Sequence, residues 1–291
     1  MKKLKPLTYL LLLASSSLLA QETPKSLKNV QTESIFAASP VKIDGKLKEW
    51  PAGFQAYNKS THLYYTMAND EQNLYLVIRT TDATTNAKIT AGGITLAINT
   101  AGQKKEEGAY SLTYPIIQRP QGGPGPGQRT MTFIGGPPGG GGSGQSGADS
   151  DMLKAAHERV INNAKEIKVS GFKDIQDSLI AIYNDYKIKA AIDYDKDNAF
   201  VYELAIPLKL MGLDGDKKDF AYNIKLNGLQ LNFRLRDDAA GSPAGGGGPV
   251  GPGGGPVMIL NGPPGGGRGG VDFQELISAT DFWGRYTLAK K

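Results

Sequence analysis

The sequence predicts an all-β, mainly antiparallel fold: an immunoglobulin-like or jelly-roll β-sandwich with one or two helices and two disordered Gly/Pro-rich loop insertions. Three observations lead to this prediction. Short runs rich in aromatic and β-branched residues recur along the chain, bounded by turn-forming residues. Neighbouring runs are joined by short turns, as in antiparallel hairpins. The strand and helix patterns do not alternate regularly, which argues against a parallel α/β fold.

The chain begins with the pattern of a secretory signal peptide. Lysines at positions 2, 3 and 5 precede an apolar run over residues 7–14, and a small residue follows at Ala20. We therefore expect residues 1–20 to be cleaved and the protein to be exported, to the periplasm, the outer membrane or the cell exterior. Residues 21–34 are polar and are expected to be mobile. No later apolar run is long enough to predict a membrane-spanning helix.

Two stretches, residues 119–148 and 240–270, differ in composition from the rest of the chain. Together they hold 27 of the 38 glycines and 11 of the 17 prolines. Such stretches cannot bury enough apolar area to offset the entropy lost on ordering, so we predict two disordered insertions. About 210 residues remain, which suffice for one core. We assign residues 35–291 to a single sandwich domain that these insertions interrupt.

We expect three antiparallel hairpins, each made of two β-type runs joined by a short turn. Their strand pairs are residues 62–68 with 74–82, 94–99 with 110–117, and 187–194 with 199–208. The last strand should end at Pro207, because proline has no amide hydrogen for a sheet ladder. Further strands are predicted over residues 220–232 and 281–288.

One helix is predicted from apolar residues at spacings of three and four. These residues are Leu153, Ala156, Val160, Ala164 and Ile167. They place a helix over residues 151–166, capped by Asp149 or Ser150 and lying on a sheet. His157 falls outside this apolar stripe, so we expect its side chain to be solvated.

Composition and charge exclude several functional classes. The leader carries three lysines and no acid, so the formal charge of +5 falls by three, to +2, without it. That value is too near neutral to predict a nucleic-acid partner. The absence of cysteine excludes disulfides, thiolate metal sites and cysteine nucleophiles. There are only two histidines and no Gly-x-Ser-x-Gly motif, so nothing supports a Ser-His-Asp hydrolase. We predict that the protein is not an enzyme.

The most specific motif is Ile-Asp-Gly-Lys-Leu-Lys-Glu-Trp at residues 43–50. Asp-Gly is a strong turn former, because glycine accepts positive φ and aspartate bonds to its own backbone. One interpretation is a turn and a buried aromatic side chain, Trp50, that close one end of a β-domain. The alternative is a tryptophan that faces a ligand beside acidic residues.

Two further segments accompany this motif, in the order and with the approximate spacing of a known group. They are Asn-Leu-Tyr-Leu-Val-Ile-Arg-Thr-Thr-Asp at residues 73–82 and Val-Tyr-Glu-Leu-Ala-Ile-Pro-Leu at residues 201–208. With them, the chain resembles the family-nine carbohydrate-binding-module-like (DOMON-like) β-sandwiches of exported bacterial proteins. The resemblance implies a secreted, non-catalytic module that binds glycan or another envelope component on the sandwich.

Members of that group that bind sugar hold it between aromatic rings with polar groups beside them. The corresponding candidates for ligand binding here are Trp283, Tyr286, Tyr64, Tyr75 and Trp50. Core packing is the alternative role for these rings. A cluster of exposed aromatic residues on one face would favour glycan binding. Scattered, buried rings would favour a structural or interaction protein of the cell envelope that contacts its partners through the Gly/Pro-rich loops.

Acidic residues at turns and strand ends are candidates for a metal site. Carboxylate oxygens in such places suit calcium, and Asp44 and Asp82 are the candidate ligands. The alternative is that these turn acids are simply solvated. We expect no other cofactor.

Overall fold

The computed structural model describes residues 27–37, 41–117, 146–215, 219–229 and 273–291. These residues form a sandwich of two six-stranded sheets with three α-helices, which confirms the predicted all-β fold. The leader lies outside the described residues. So do both Gly/Pro-rich insertions, apart from residues 146–148, which belong to a helix.

The regular structure of the described residues consists of twelve strands, three α-helices and two short 3₁₀ helices, Leu47–Glu49 and Leu208–Met211. The strands are β1 (Ile35–Phe36), β2 (Ala56–Asn58), β3 (Leu63–Asn69), β4 (Asn73–Thr80), β5 (Ile94–Asn99), β6 (Tyr110–Ile117), β7 (Ala164–Ser170), β8 (Leu179–Ala181), β9 (Lys189–Tyr194), β10 (Phe200–Pro207), β11 (Asp219–Leu226) and β12 (Thr280–Thr287). The helices are α1 (Ala83–Gly92), α2 (Ser146–Asn163) and α3 (Phe273–Ile277).

The first sheet has the strand order β1-β3-β4-β10-β9, with β2 also paired to β3. Its ladders are antiparallel except for the short parallel pair of β1 and β3. The second sheet has the order β12-β11-β5-β6-β7-β8 and is antiparallel throughout. The three predicted hairpins are therefore present as β3–β4, β5–β6 and β9–β10, and β10 ends at Pro207 as predicted.

The core lies between the sheets, where alternate side chains of each strand meet. Tyr65 of the first sheet and Tyr222 of the second are both fully buried, and their hydroxyl oxygens are 3.0 Å apart. This hydrogen bond satisfies two polar groups that would be costly to bury alone. Gly284 leaves the space that the Tyr222 ring occupies, since a Cβ at this position would lie 2.2 Å from the ring.

Several boundaries differ from the sequence predictions. Helix α2 begins at Ser146, before the expected caps, and the strand predicted over residues 220–232 ends at Leu226. Helix α1 was not predicted at all. It begins where the Asp82 carboxylate accepts a hydrogen bond from the Thr85 amide, and Ile89 is buried from it. The sequence of α1 has only a weak amphipathic pattern, so periodicity does not reveal it. Such a helix is stabilised by burial against the rest of the fold.

Residues 27–34 make specific contacts that the sequence did not predict. The Gln31 side chain accepts a hydrogen bond from the Met67 amide and donates to the carbonyl oxygens of Met67 and Glu33. The Gln31 amide donates to the Tyr65 hydroxyl at 2.8 Å. These bonds tie the segment to β3, beside the pairings of β3 with β1 and β2. In the part of the chain that the structure describes, no helix is long and apolar enough to cross a membrane.

Candidate functional site: an aromatic surface on the first sheet

The outward face of the first sheet is divided into a covered part and an open part. At one end, residues 41–50 fold over the sheet, and Val41, Ile43 and Trp50 pack on Tyr75 and its small neighbours. At the other end lie the outward positions of Tyr64 and Arg79, which are paired in register across β3 and β4. Aromatic side chains on this face can therefore be accessible to a ligand only at the second end, which residues 41–50 leave uncovered.

The covered part is held by Glu203, which points outward from the middle of β10 and is fully buried. Its Oε2 accepts hydrogen bonds from the amides of Asp44 (2.9 Å) and Gly45 (2.8 Å). Its Oε1 accepts one from the Trp50 indole at 2.8 Å, across a separation of 153 residues. Burial raises the pKa of Glu203, although these three donors oppose the rise. We call this arrangement the Glu203 latch.

The latch gives the motif at residues 43–50 a structural role. The Asp-Gly turn presents two amides to one carboxylate oxygen, and Trp50 closes over the sheet at the other oxygen. The Trp50 ring also meets Tyr75 edge to face, with centroids 6.3 Å apart. This geometry supports the interpretation of Trp50 as a half-buried closing residue rather than as a ring that faces a ligand.

Two other predicted ligand-binding residues are engaged inside the protein. Tyr75 is 3% exposed and its hydroxyl donates to Asp70 Oδ2 at 2.5 Å. Tyr286 is 4% exposed, lies between the sheets, and donates to the carbonyl oxygen of Ile35 or to Asn69 Oδ1. Neither ring offers a face on which a sugar could stack, because stacking requires an accessible face.

Tyr64 is the predicted candidate that the structure places in an accessible cluster. Its ring lies 4.4 Å from that of Tyr57 and 6.0 Å from that of Phe54, centroid to centroid. All three side chains are half-buried on the outward face at the β2–β3 edge. We call Phe54, Tyr57 and Tyr64 the aromatic surface. Phe54 and Tyr57 were missed from the sequence because they lie in a stretch without a clear strand pattern.

Polar groups border the aromatic surface. Arg79 is the β4 neighbour of Tyr64, and its Nε donates to Asp195 at 2.7 Å while its Nη2 donates to Asp197 at 3.3 Å. Burial acts to raise the pKa of Asp195, but the bonds from Arg79 and from two backbone amides outweigh it and lower that pKa below its usual range. The guanidinium is thus held in place by two carboxylates, whose combined negative charge exceeds its own positive charge. Apolar rings with a few fixed polar groups are typical of small-molecule sites.

Trp283, the remaining aromatic candidate, lies on the other side of the molecule. It projects from β12 at a position paired with Asn223, on the outward face of the second sheet. Trp50 and Trp283 therefore lie on the outward faces of different sheets, and they cannot grip one sugar between them.

The two candidate calcium ligands have other partners. Asp44 forms an ion pair with Lys42 at 2.8 Å, and the hydrogen bond from Lys42 lowers the pKa of its carboxyl. Asp82 caps α1 through Thr85 at 2.7 Å, and its other oxygen lies 3.5 Å from His62. Within the described residues, no three His, Asp or Glu side chains come together in a way that could hold a metal ion.

A cleft of about 250 Å³ opens at one end of the sandwich. Its apolar wall includes Phe36, Leu208 and Leu288, and its rim includes Glu71 and Lys290. None of the predicted ligand-binding aromatic residues lines it. Among the described residues, Phe36 is the one aromatic ring in its lining, whereas three rings come together at the aromatic surface.

His157 is half-buried rather than fully solvated, contrary to our expectation. Its ring stacks on Tyr194 of β9, with centroids 3.5 Å apart and planes 4° apart. This contact joins α2 to the first sheet. Burial lowers the pKa of His157, because removing the ring from water disfavours its charged form.

The His157 stack predicts a pH-dependent stability. Because its pKa is lower in the folded protein, the unfolded chain binds more protons below the ordinary histidine pKa of about 6.5. We expect the free energy of unfolding to fall as the pH falls through that value. His157→Phe keeps a stacked ring without the titration and should weaken this dependence. Urea unfolding at pH 5 and pH 8 measures it, and an equal pH dependence in both proteins would contradict the assignment.

The fold and the site define a β-sandwich that presents an aromatic surface, bordered by a fixed arginine, on the outward face of one sheet. No protein-family model and no curated protein sequence matches the chain. Among solved structures, it is similar to a family 9 carbohydrate-binding module from Caldicellulosiruptor kristjanssonii in complex with glucose. The identity is 10%, over 68% of this chain and 79% of that chain, with a TM-score of 0.27. Any function is therefore argued from the residues of this chain.

Proposed function

We propose that this protein is an exported, non-catalytic module that binds glycan on the aromatic surface. The observation that carries the proposal is that the Tyr64 ring meets both Phe54 and Tyr57 on one outward face, beside Arg79. A sugar ring has an apolar face of C–H groups and an edge of hydroxyls. The tyrosine rings can pack on the C–H face of the sugar, and the fixed polar groups can hydrogen-bond to its hydroxyls.

The surface is preorganised for such a ligand. The Tyr57 and Tyr64 rings support each other, and Arg79 is held by two carboxylates before any ligand arrives. Less side-chain entropy is then lost on binding. Because Asp195 and Asp197 together carry more negative charge than the single positive charge of Arg79, the surface favours a neutral glycan over an anionic one.

The aromatic surface is proposed to bind glycan without cleaving it. Hydrolysis of a glycosidic bond usually requires a pair of carboxyl groups, one of them protonated at working pH. The carboxylates beside the rings are bound to Arg79, and the lowered pKa of Asp195 keeps it ionised. These groups position Arg79 and do not act as a general acid.

Binding of hexasaccharides tests the proposal. The chain from residue 21 to 291 would be titrated with β-1,4-linked hexasaccharides of glucose, xylose, mannose and N-acetylglucosamine, in calcium and in chelator. We expect binding of at least one, and a loss of about 30-fold or more in Tyr64→Ala, which is about 2 kcal/mol for a central aromatic residue.

The matched control is Tyr183→Ala, which removes an aromatic side chain that is 90% exposed and distant in sequence from the surface. It should bind as the wild type does. Equal binding by the wild type and Tyr64→Ala would contradict the proposed site. No binding to any hexasaccharide by folded protein would overturn the function, and an envelope interaction protein would become the better hypothesis.

A further inference from the structure

The outward face of the second sheet carries an aromatic residue of its own. Side chains alternate along β12, so Phe282 and Tyr286 face the core while Trp283 and Arg285 face outward. Trp283 is half-buried although it lies on an edge strand. The proposed function makes no use of this tryptophan.

The residues beside Trp283 are small. The register places Asn223 next to it, then Ala97, then Ser111, in one row across four strands. Asn223 is 0% and Ala97 is 3% exposed, although both point outward. Trp283 is the one large apolar side chain in this row. Because Trp283 is only half-buried, part of its indole is open to solvent.

Polar groups flank the indole on both sides along β12. Asn223 Nδ2 donates to Asp281 Oδ2 at 2.6 Å and to the Phe282 carbonyl oxygen at 3.0 Å. Asn223 thereby positions the Asp281 carboxylate, which is itself exposed and retains acceptor capacity. On the other side of Trp283 along β12, Arg285 is exposed and offers guanidinium donors. Asn223 Oδ1 is buried and has no partner within the described residues, so this polar cluster has an unused acceptor.

We infer that Trp283, Asp281 and Arg285 form a second saccharide-binding site. A sugar ring stacks on the exposed face of the indole, and its hydroxyls donate to Asp281 and accept from Arg285. A carboxylate and a guanidinium on either side of a ring supply both kinds of hydrogen bond that a hydroxyl group makes. The inference rests on the second sheet alone and does not depend on the aromatic surface.

The two proposed sites lie on opposite sides of the sandwich. The outward faces of the two sheets of a sandwich point in opposite directions, with the sheets about 10 Å apart. One glycan chain therefore cannot stack on both sites at once. The protein would hold two separate chains and cross-link them, with the gain in avidity that two linked sites provide.

Stoichiometry with the same four hexasaccharides tests the second site. Calorimetric titration of the chain from residue 21 to 291 should give two sites per molecule for at least one sugar. Trp283→Ala should remove one of them and weaken binding there about tenfold or more. Asp281→Asn keeps the indole and should weaken the same site, which provides a second readout if Trp283→Ala does not fold. Leu179→Ala, an exposed apolar residue at the opposite edge of the same sheet, is the matched control and should retain two sites.

The outcomes separate the two proposals. Loss of one site in Trp283→Ala and of the other in Tyr64→Ala supports both. Binding that is lost in Trp283→Ala and unchanged in Tyr64→Ala supports the second site and contradicts the aromatic surface. Unchanged stoichiometry and affinity in both Trp283→Ala and Asp281→Asn overturns the second site. Light scattering should also rise when the wild type is mixed with the long polymer of the bound sugar, and should not rise with either single-site variant.

Discussion

Glu203→Ala is expected to lower the free energy of unfolding by about 4 kcal/mol, because it removes the acceptor of three hydrogen bonds in the Glu203 latch. The amides of Asp44 and Gly45 and the Trp50 indole would lose their partner, and part of this loss would be recovered through water. Urea unfolding followed by circular dichroism measures the change. The melting temperature should fall by about 10 °C for a domain of this size.

Two variants control for the loss of a glutamate as such. Glu203→Gln keeps one acceptor oxygen, so its free energy of unfolding should lie between those of the wild type and Glu203→Ala. Glu71→Ala removes an exposed glutamate at a turn and should change the stability by less than about 0.5 kcal/mol. A loss below about 1 kcal/mol in Glu203→Ala would show that the latch contributes little and that apolar packing holds residues 41–50.

Gly45→Ala is expected to cost about 3 kcal/mol, from two causes that act together. Gly45 has φ of +79°, which disfavours any residue with a Cβ by about 1–2 kcal/mol. A Cβ here would also lie 2.8 Å from Asp193 Cβ and 2.9 Å from the Ile192 carbonyl carbon. Relief of this overlap would push the turn away from Glu203 and lengthen its two amide hydrogen bonds. The free energy of unfolding again measures the effect.

Gly53→Ala separates the two causes. Gly53 has a similar φ of +70°, but nothing lies within 4 Å of the position of its Cβ. It should therefore show only the conformational cost of about 1–2 kcal/mol. Equal losses in Gly45→Ala and Gly53→Ala would mean that the close approach to Asp193 relaxes freely and that the latch tolerates a displaced turn.

The hairpins could be predicted because their signals are local. The turn residues between β3 and β4, and between β9 and β10, stand between runs of aromatic and β-branched residues, and Pro207 marks where a ladder must end. Helix α1 lacked such a signal, although Asp82 was present as its cap. The sequence pattern places Asp82 at the end of the strand over residues 74–82 and among the candidate calcium ligands, not at the start of a helix.

The candidate site was predicted in part. Period-two alternation implies that Tyr64 and Tyr65 face opposite sides of β3, but the two rings are chemically alike, and nothing local states which side is the core. Pairing with β2 and β4 placed Tyr64 outward, beside Tyr57 and Arg79. The same ambiguity left Tyr75 and Tyr286 among the candidates until their burial was known.

The sequence by itself determined the β class, the hairpins, the turn at Asp44 and Gly45, and the motif that ends at Trp50, because each depends on residues close together in the chain. Only the tertiary structure decided what these residues face. Glu203 meets Trp50 across 153 residues, and Trp283 and Trp50 fall on the outward faces of different sheets. Such contacts depend on which strands become neighbours and which face they bury, and side-chain periodicity contains neither of these facts.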